Sequence, residues 1–302
     1  MNKYIIIFLV VLFGGLGIYF LINRSSTTNV DVPPITIPAE TESQVTTPVT
    51  ETKVNKEESV IGTSVEGRDI TAYHYGTGDT EILFVGGIHG GYEWNTTLVA
   101  YEAMDYFKAN PDSIPDNVKV TVIPVLNPDG LFKTVGTAAR FTKADVSPSQ
   151  TVQESGRFNA NDVDLNRNFD CDWQTNAKWQ TKTVSGGTQT FSEPESQAMK
   201  TYIETAQPKA VVVWYSAAGG VFASSCHNGV LQETTTLTNT YATASGYPAY
   251  KTFDFYEITG DMVNWLAKKE IPAISVLLTN HTDTEWAKNK PGIDALLKYY
   301  AQ

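Results

Sequence analysis

Cysteine is scarce: Cys171 and Cys226 are the only two in 302 residues, which excludes a small disulfide-stapled scaffold and a cysteine-built zinc knuckle. Positive charge is scarce too. The 22 Lys and Arg stand against 33 Asp and Glu, a net charge of −11, so a nucleic acid, which wants a basic face, is not expected as a partner. Residues 25–58 contain no aromatic side chain at all, and this aperiodic run of Ser, Thr, Pro, Val and Glu cannot build a core. No internal repeat is present.

What is there begins with an apolar run. Ile5 to Ile22 are uncharged and almost wholly apolar, bounded by Lys3 and Arg24, long enough to cross a bilayer and followed by no small-residue cleavage signal. The expectation is a membrane anchor over 1–24, with a cleaved signal segment as the alternative. Lys3 and the terminal amine favour a cytoplasmic N-terminus. A disordered linker over 25–58 then holds a folded domain, 59–302, outside the cytoplasm. In such a compartment Cys171 and Cys226 either pair or stay as separate buried thiols, and both remain open.

From residue 60 onward, short apolar runs alternate with helical patterns, which predicts an α/β fold. Glu81–Gly86, Val118–Leu126, Ala210–Trp214 and Pro272–Leu278 are β-branched and continuously apolar, the pattern of central strands. Helices are expected from about Glu93 to Ala109, Glu193 to Thr205, Leu231 to Ala244, Asp261 to Lys269 and Thr284 to Tyr300. Ser192-Glu193-Pro194-Glu195 reads as a capping box with proline in the first turn. Two long polar stretches, Gly136–Asp162 and Cys171–Thr190, read as loops that carry function.

Two segments hold the chemistry. His89 and Glu93 sit in a glycine-rich turn (His-Gly-Gly-Tyr-Glu) at the end of a strand, an imidazole and a carboxylate suited to one metal ion. Arg157, Asn166 and Arg167 lie close together in sequence, and guanidinium forks bind carboxylates bidentately where an ammonium does not.

His-Gly-Gly-Tyr-Glu, Asn-Pro-Asp-Gly (127–130), Asp-Leu-Asn-Arg-Asn-Phe (164–169) and Phe-Ser-Glu-Pro-Glu-Ser (191–196), in that order, resemble the zinc carboxypeptidase family, which includes bacterial peptidases that cut γ-D-glutamyl bonds in cell-wall peptides. The resemblance covers about Val60 to the C-terminus. It implies a mixed parallel and antiparallel sheet flanked by helices, one zinc ion, and a peptide or murein-peptide partner. His89 and Glu93 match the first two zinc ligands, and Asp164 the carboxylate that orients the histidine. Asn166 and Arg167 match the pair gripping the substrate's terminal carboxylate, Arg157 the arginine that stabilises the oxyanion, and Tyr256 the tyrosine that closes over bound peptide.

Three departures point to impaired hydrolysis. His89 and Glu93 are one residue further apart than the family's usual His-x-x-Glu. Tyr215 stands where the third ligand, a histidine, is expected, and a phenol ionising near pH 10 is a poor zinc donor. Leu277 occupies the position of the general-base glutamate, and losing such a base costs about 10²- to 10⁴-fold, roughly 3 to 5.5 kcal/mol of barrier. Among possible replacements, His227 and His281 read as loop histidines, Glu285 as a helix N-terminal charge and His74 as solvent-facing. The sequence therefore supports a metallopeptidase with weakly held zinc, or a peptide-binding protein whose metal half has decayed; a purely structural wall spacer leaves the arginines idle.

Overall fold

The computed structural model describes residues 57–302. The expected anchor and linker lie outside the described residues except for the linker's last two positions, and among the described residues no helix is long and apolar enough to cross a membrane.

The centre is an eight-stranded mixed sheet. Its strands are β1 (Glu58–Thr63), β2 (Asp69–Tyr75), β3 (Thr80–Val85), β4 (Val118–Ile123), β7 (Ala210–Ser216), β8 (Gly220–Ala223), β9 (Ala249–Tyr250) and β10 (Ala273–Leu278), in the order β1-β2-β4-β3-β7-β10-β8-β9. The inner strands β4, β3, β7 and β10 run parallel, while β2 and β8 pair antiparallel to them. These are the four runs expected to be central, and the burial of their residues on both faces explains the lack of alternation in their sequences. A separate hairpin, β5 (Asn176–Trp179) and β6 (Lys182–Ser185), forms within the stretch read as a loop.

Helices cover both faces. On one side α1 (Trp94–Ala109), α5 (Gln232–Ser245) and α7 (Trp286–Tyr300) pack on Ile82, Phe84, Val212, Trp214 and Ile274. On the other, α4 (Pro194–Ala206) and α6 (Met262–Lys268) pack on Leu83, Val85, Val211, Val213 and Ala273. Two short helices, α2 (Pro128–Val135) and α3 (Gln150–Ser155), line the chain between β4 and the arginine segment.

Two local expectations are corrected. Pro194 does open α4, but the capping box is absent: the N-cap Glu193 makes no side-chain cap, and the Ser192 hydroxyl donates to the Glu193 carboxylate instead. His74 does not face solvent. It is half-buried on β2, with Nε2 2.8 Å from Ser59 Oγ and Nδ1 3.0 Å from Thr121 Oγ1, and burial lowers its pKa.

Candidate functional site

The separated motifs meet because glycine lets their backbones touch. A Cβ on Gly90 would stand 2.7 Å from the Gly156 carbonyl oxygen and 2.8 Å from the Gly130 carbonyl carbon, and one on Gly130 would stand 2.3 Å from the same oxygen. Gly90 also has φ +42, a conformation open to glycine. Gly91 N–H donates to the Gly156 carbonyl at 3.0 Å, tying the His89 turn to the residue before Arg157.

Asn127 caps α2 by accepting from Gly130 N–H at 2.8 Å and donates its amide to the Arg157 carbonyl at 3.2 Å. The Phe-Ser-Glu-Pro-Glu-Ser segment acts as a latch: Glu193 accepts from Asn159 and Asn161, Glu195 from Asn159, and Ser196 Oγ donates to Asn168 Oδ1 at 2.6 Å. The motifs thus form one hydrogen-bonded frame around the arginine segment.

At the carboxyl ends of the central strands the frame holds a buried charge cluster. His89 Nδ1 is 3.0 Å from Glu93 Oε1 and His89 Nε2 is 3.4 Å from Asp164 Oδ1, yet neither ring nitrogen has a hydrogen-bond partner. Arg157 directs Nε and Nη2 to Asp164 Oδ2, each at 2.8 Å, and Nη1 lies 3.7 Å from Glu93 Oε1. Burial opposes ionisation of both acids, but His89 and Arg157 beside Glu93, and Arg157 above all beside Asp164, hold the two carboxyls below their usual range. Arg167 donates Nε to the Lys178 carbonyl and Nη1 to the Asn166 carbonyl, which leaves Nη2 without a hydrogen bond among the described residues.

The structure brings His89, Glu93, Arg157, Asn166, Arg167, Tyr215, Tyr256 and Leu277 to the wall of one cleft of about 300 Å³, with Asp164 buried behind it. The two departures fall side by side there. The Tyr215 hydroxyl donates to Asn166 Oδ1 at 3.3 Å, and burial, with Asp261 and Glu93 nearby, pushes the phenol well above 10. Leu277 is almost fully buried at the cleft wall, presenting only methyl groups. Asn166 is more heavily engaged than the sequence implies: its amide donates to Asp261 at 3.0 Å, and its oxygen also accepts from Met262 N–H at 3.1 Å.

A catalytic zinc takes three protein donors. His89 Nδ1 and Glu93 Oε1 supply two with the closeness of shared ligands, and the unpartnered imidazole is consistent with that use. The third is lacking. Among the described residues no trio of His, Cys, Asp or Glu ligand atoms that includes His89 converges within 4.8 Å; the one such group is Cys171, Asp172 and Cys226, whose two sulfurs are joined in a disulfide. The donors present do not make up a full zinc site, and no residue at Leu277 can take a proton.

The other candidates separate clearly. His281, read as a loop histidine, lines the cleft, packs 4.7 Å from the Tyr92 ring, and has a buried Nδ1 without a partner; burial lowers its pKa. His227 is exposed and pairs with Asp172 at 2.8 Å. Glu285 is the N-cap residue of α7, accepting from Thr279 and Lys288, as expected of a helix N-terminal charge. Cys171 and Cys226 are paired, their Cα atoms 6.2 Å apart, joining the segment after Arg167 to the loop after β8. Sequence reasoning missed Trp179, Gln180, Phe222 and Phe253, which belong to no motif, and read Asp261 only as a helix start; all five line the cleft.

Residues 53–287 match the family model described as zinc carboxypeptidase. The chain is 37% identical over 123 residues to metallocarboxypeptidase A of Trichophyton tonsurans, which takes in 37% of this chain and 27% of that protein, so the match spans about a quarter of the relative's length. The fold is similar to murein-tripeptide amidase MpaA from Escherichia coli O157, with a TM-score of 0.52 and 20% identity over 80% of this chain and 92% of that one. It is similar also to carboxypeptidase A from Helicoverpa armigera, with a TM-score of 0.60 and 18% identity over 81% of this chain and 66% of that one.

Proposed function

The chain belongs to the zinc carboxypeptidase family, and from that premise we propose that it is an exported, membrane-tethered protein that holds peptides by their C-terminal carboxylate and hydrolyses them poorly. Its ligands are free peptide C-termini or γ-glutamyl cell-wall peptides. One observation carries the reading: the two arginines stay aimed at one cleft, while the adjoining third-donor and base positions are a buried phenol and a buried leucine.

The parts divide by task. Arg167 Nη2 offers a fixed positive donor to an incoming carboxylate, and Arg157, clamped between Asp164 and Glu93, offers Nη1 to the neighbouring carbonyl oxygen. Tyr256, half-buried on the cleft wall against Phe253, covers the bound end. Bound zinc would polarise the carbonyl and activate water. With only His89 and Glu93 to hold it, binding is weak, and no basic side chain at position 277 receives the proton.

Calorimetry with short peptides tests this. Wild type is expected to bind peptides with a free C-terminus, Arg167→Ala to lose that binding, and C-terminally amidated peptides to bind wild type measurably but far more weakly than the free acids. Affinity indifferent to Arg167→Ala would reject the proposal.

A further inference from the structure

We infer that the β5–β6 hairpin holds the carboxylate grip in shape, with Trp179 as the positioning residue for Arg157. The inference rests on the carboxylate-binding reading above and adds what makes that grip selective.

Three of the four charges of the site depend on this ten-residue hairpin. The Arg157 guanidinium carbon lies 4.5 Å from the centroid of the Trp179 ring, in cation–π range. Arg167 Nε donates to the carbonyl of Lys178, the residue before, at 2.9 Å. Asp164 N–H donates to the Ser185 carbonyl at 2.9 Å, beside a bridge between Val163 and Ser185, so the opposite strand fixes the carboxylate that Arg157 grips.

The hairpin is itself braced. Ala177, Trp179 and Val184 form a small buried cluster packed against Tyr92 and Phe158, and the Tyr92 ring meets Trp179 edge-on at 4.9 Å. Tyr92 adjoins Glu93, so this brace reaches the metal half of the cleft. Lys182 Nζ also lies 4.7 Å from the Trp179 centroid.

Why a ring is needed follows from the charges. Asp164 pulls Nε and Nη2 of Arg157 to one side, and Glu93 attracts Nη1. These attractions fix the fork's in-plane position but leave it free to tilt. The Trp179 face, nearer to the guanidinium carbon at 4.5 Å than the Tyr92 ring at 5.7 Å, adds an attraction that the two carboxylates do not supply and holds Nη1 toward the cleft. With Nε and Nη2 spent on Asp164, Nη1 is what Arg157 presents to the cleft beside Arg167, and a fixed positive charge held there favours an anionic carboxylate over a neutral carboxamide.

Three variants separate the roles: Trp179→Phe keeps a π-face, Trp179→Leu keeps apolar bulk without one, and Arg157→Lys removes the planar fork. The measured quantity is the ratio of affinities for a free-acid peptide and its C-terminal amide. Trp179→Leu is expected to lower that ratio about tenfold and Trp179→Phe to retain most of it, and in the Arg157→Lys background Trp179→Leu should add nothing.

Equal ratios for the Phe and Leu variants would overturn the inference, as would an unchanged Trp179→Leu effect in the Arg157→Lys background. A thermal melt of each variant accompanies the titration, because a merely structural tryptophan would lower melting temperature and both affinities together while leaving their ratio intact. If wild type shows no acid-over-amide preference, the carboxylate-binding reading itself fails; if it does and only Trp179→Leu is silent, the hairpin inference alone fails.

Discussion

Tyr215 and Leu277 stand opposite each other in register on the adjacent parallel strands β7 and β10. Their side chains share the face that packs with Leu83, Val213 and Phe222, and both reach the cleft wall. On the function proposed above, the two positions bear on one chemical step, and neither brings an ionised side chain into the buried face.

Restoring the pair should restore the step. Tyr215→His is expected to raise zinc affinity by at least tenfold, read by competition with a chromophoric chelator, because a third donor, an imidazole nitrogen, joins His89 and Glu93. Tyr215→His with Leu277→Glu should then raise hydrolysis of C-terminal or γ-glutamyl peptides by about 10²- to 10⁴-fold over the histidine variant alone, the usual worth of a positioned base. Zinc bound tightly and stoichiometrically by wild type, or a double variant no faster than wild type, would show that neither residue holds the place assigned to it.

Much of this arrangement is legible in the sequence, for physical reasons that differ by element. The strands β3, β4, β7 and β10 announce themselves because strands buried on both faces are continuously apolar. The motif glycines are legible as well, since Gly90 and Gly130 stand where no side chain fits.

What stays hidden has no local signal. Asn176–Trp179 and Lys182–Ser185 are four-residue strands with polar outer faces, and each pairs chiefly with the other, so they read as loop although Trp179 reaches the cleft. The Ser192 hydroxyl donates to the Glu193 carboxylate and accepts from the Asn168 amide rather than from a backbone N–H of the first turn, a tertiary partner that the local sequence does not reveal. His74 sits in an alternating strand whose outward face is covered by Ser59 and Thr121, a cover that only tertiary packing supplies. His281 lies three residues beyond β10, and only the Tyr92 ring turns it into the cleft wall.

His74 also gives a pH dependence with a definite sign. Burial lowers its pKa below the ordinary value of about 6.5, with Glu81 opposing and Lys119 assisting. The unfolded chain then binds a proton that the folded protein resists, so stability is complete above about pH 6.5 and falls as pH drops toward the folded pKa. His281, lowered for the same reason, adds a contribution of the same sign. Urea midpoints are expected to decline between about pH 7 and pH 5, and His74→Gln should flatten that decline. A slope unchanged in the variant would mean that His74 is equally free to protonate in both states.

The disulfide bears on stability and on the grip at once. It closes a 55-residue interval between Cys171 and Cys226, and cross-links over loops of that size stabilise by about 2 to 4 kcal/mol, chiefly by restricting the unfolded chain. Cys171 is also hydrogen-bonded through its carbonyl to Gly260 N–H, and Gly260 returns its own carbonyl to Phe169 N–H, so the bond sits behind both Arg167 and the segment bearing Tyr256. A Cys171→Ser and Cys226→Ser variant should lose about 2 to 4 kcal/mol in denaturant unfolding and bind free-acid peptides more weakly than the melt alone explains. Loss of stability with affinity fully kept would confine the bond to the unfolded state; no loss of either would mean that the backbone ladder around Gly260 holds the segment unaided.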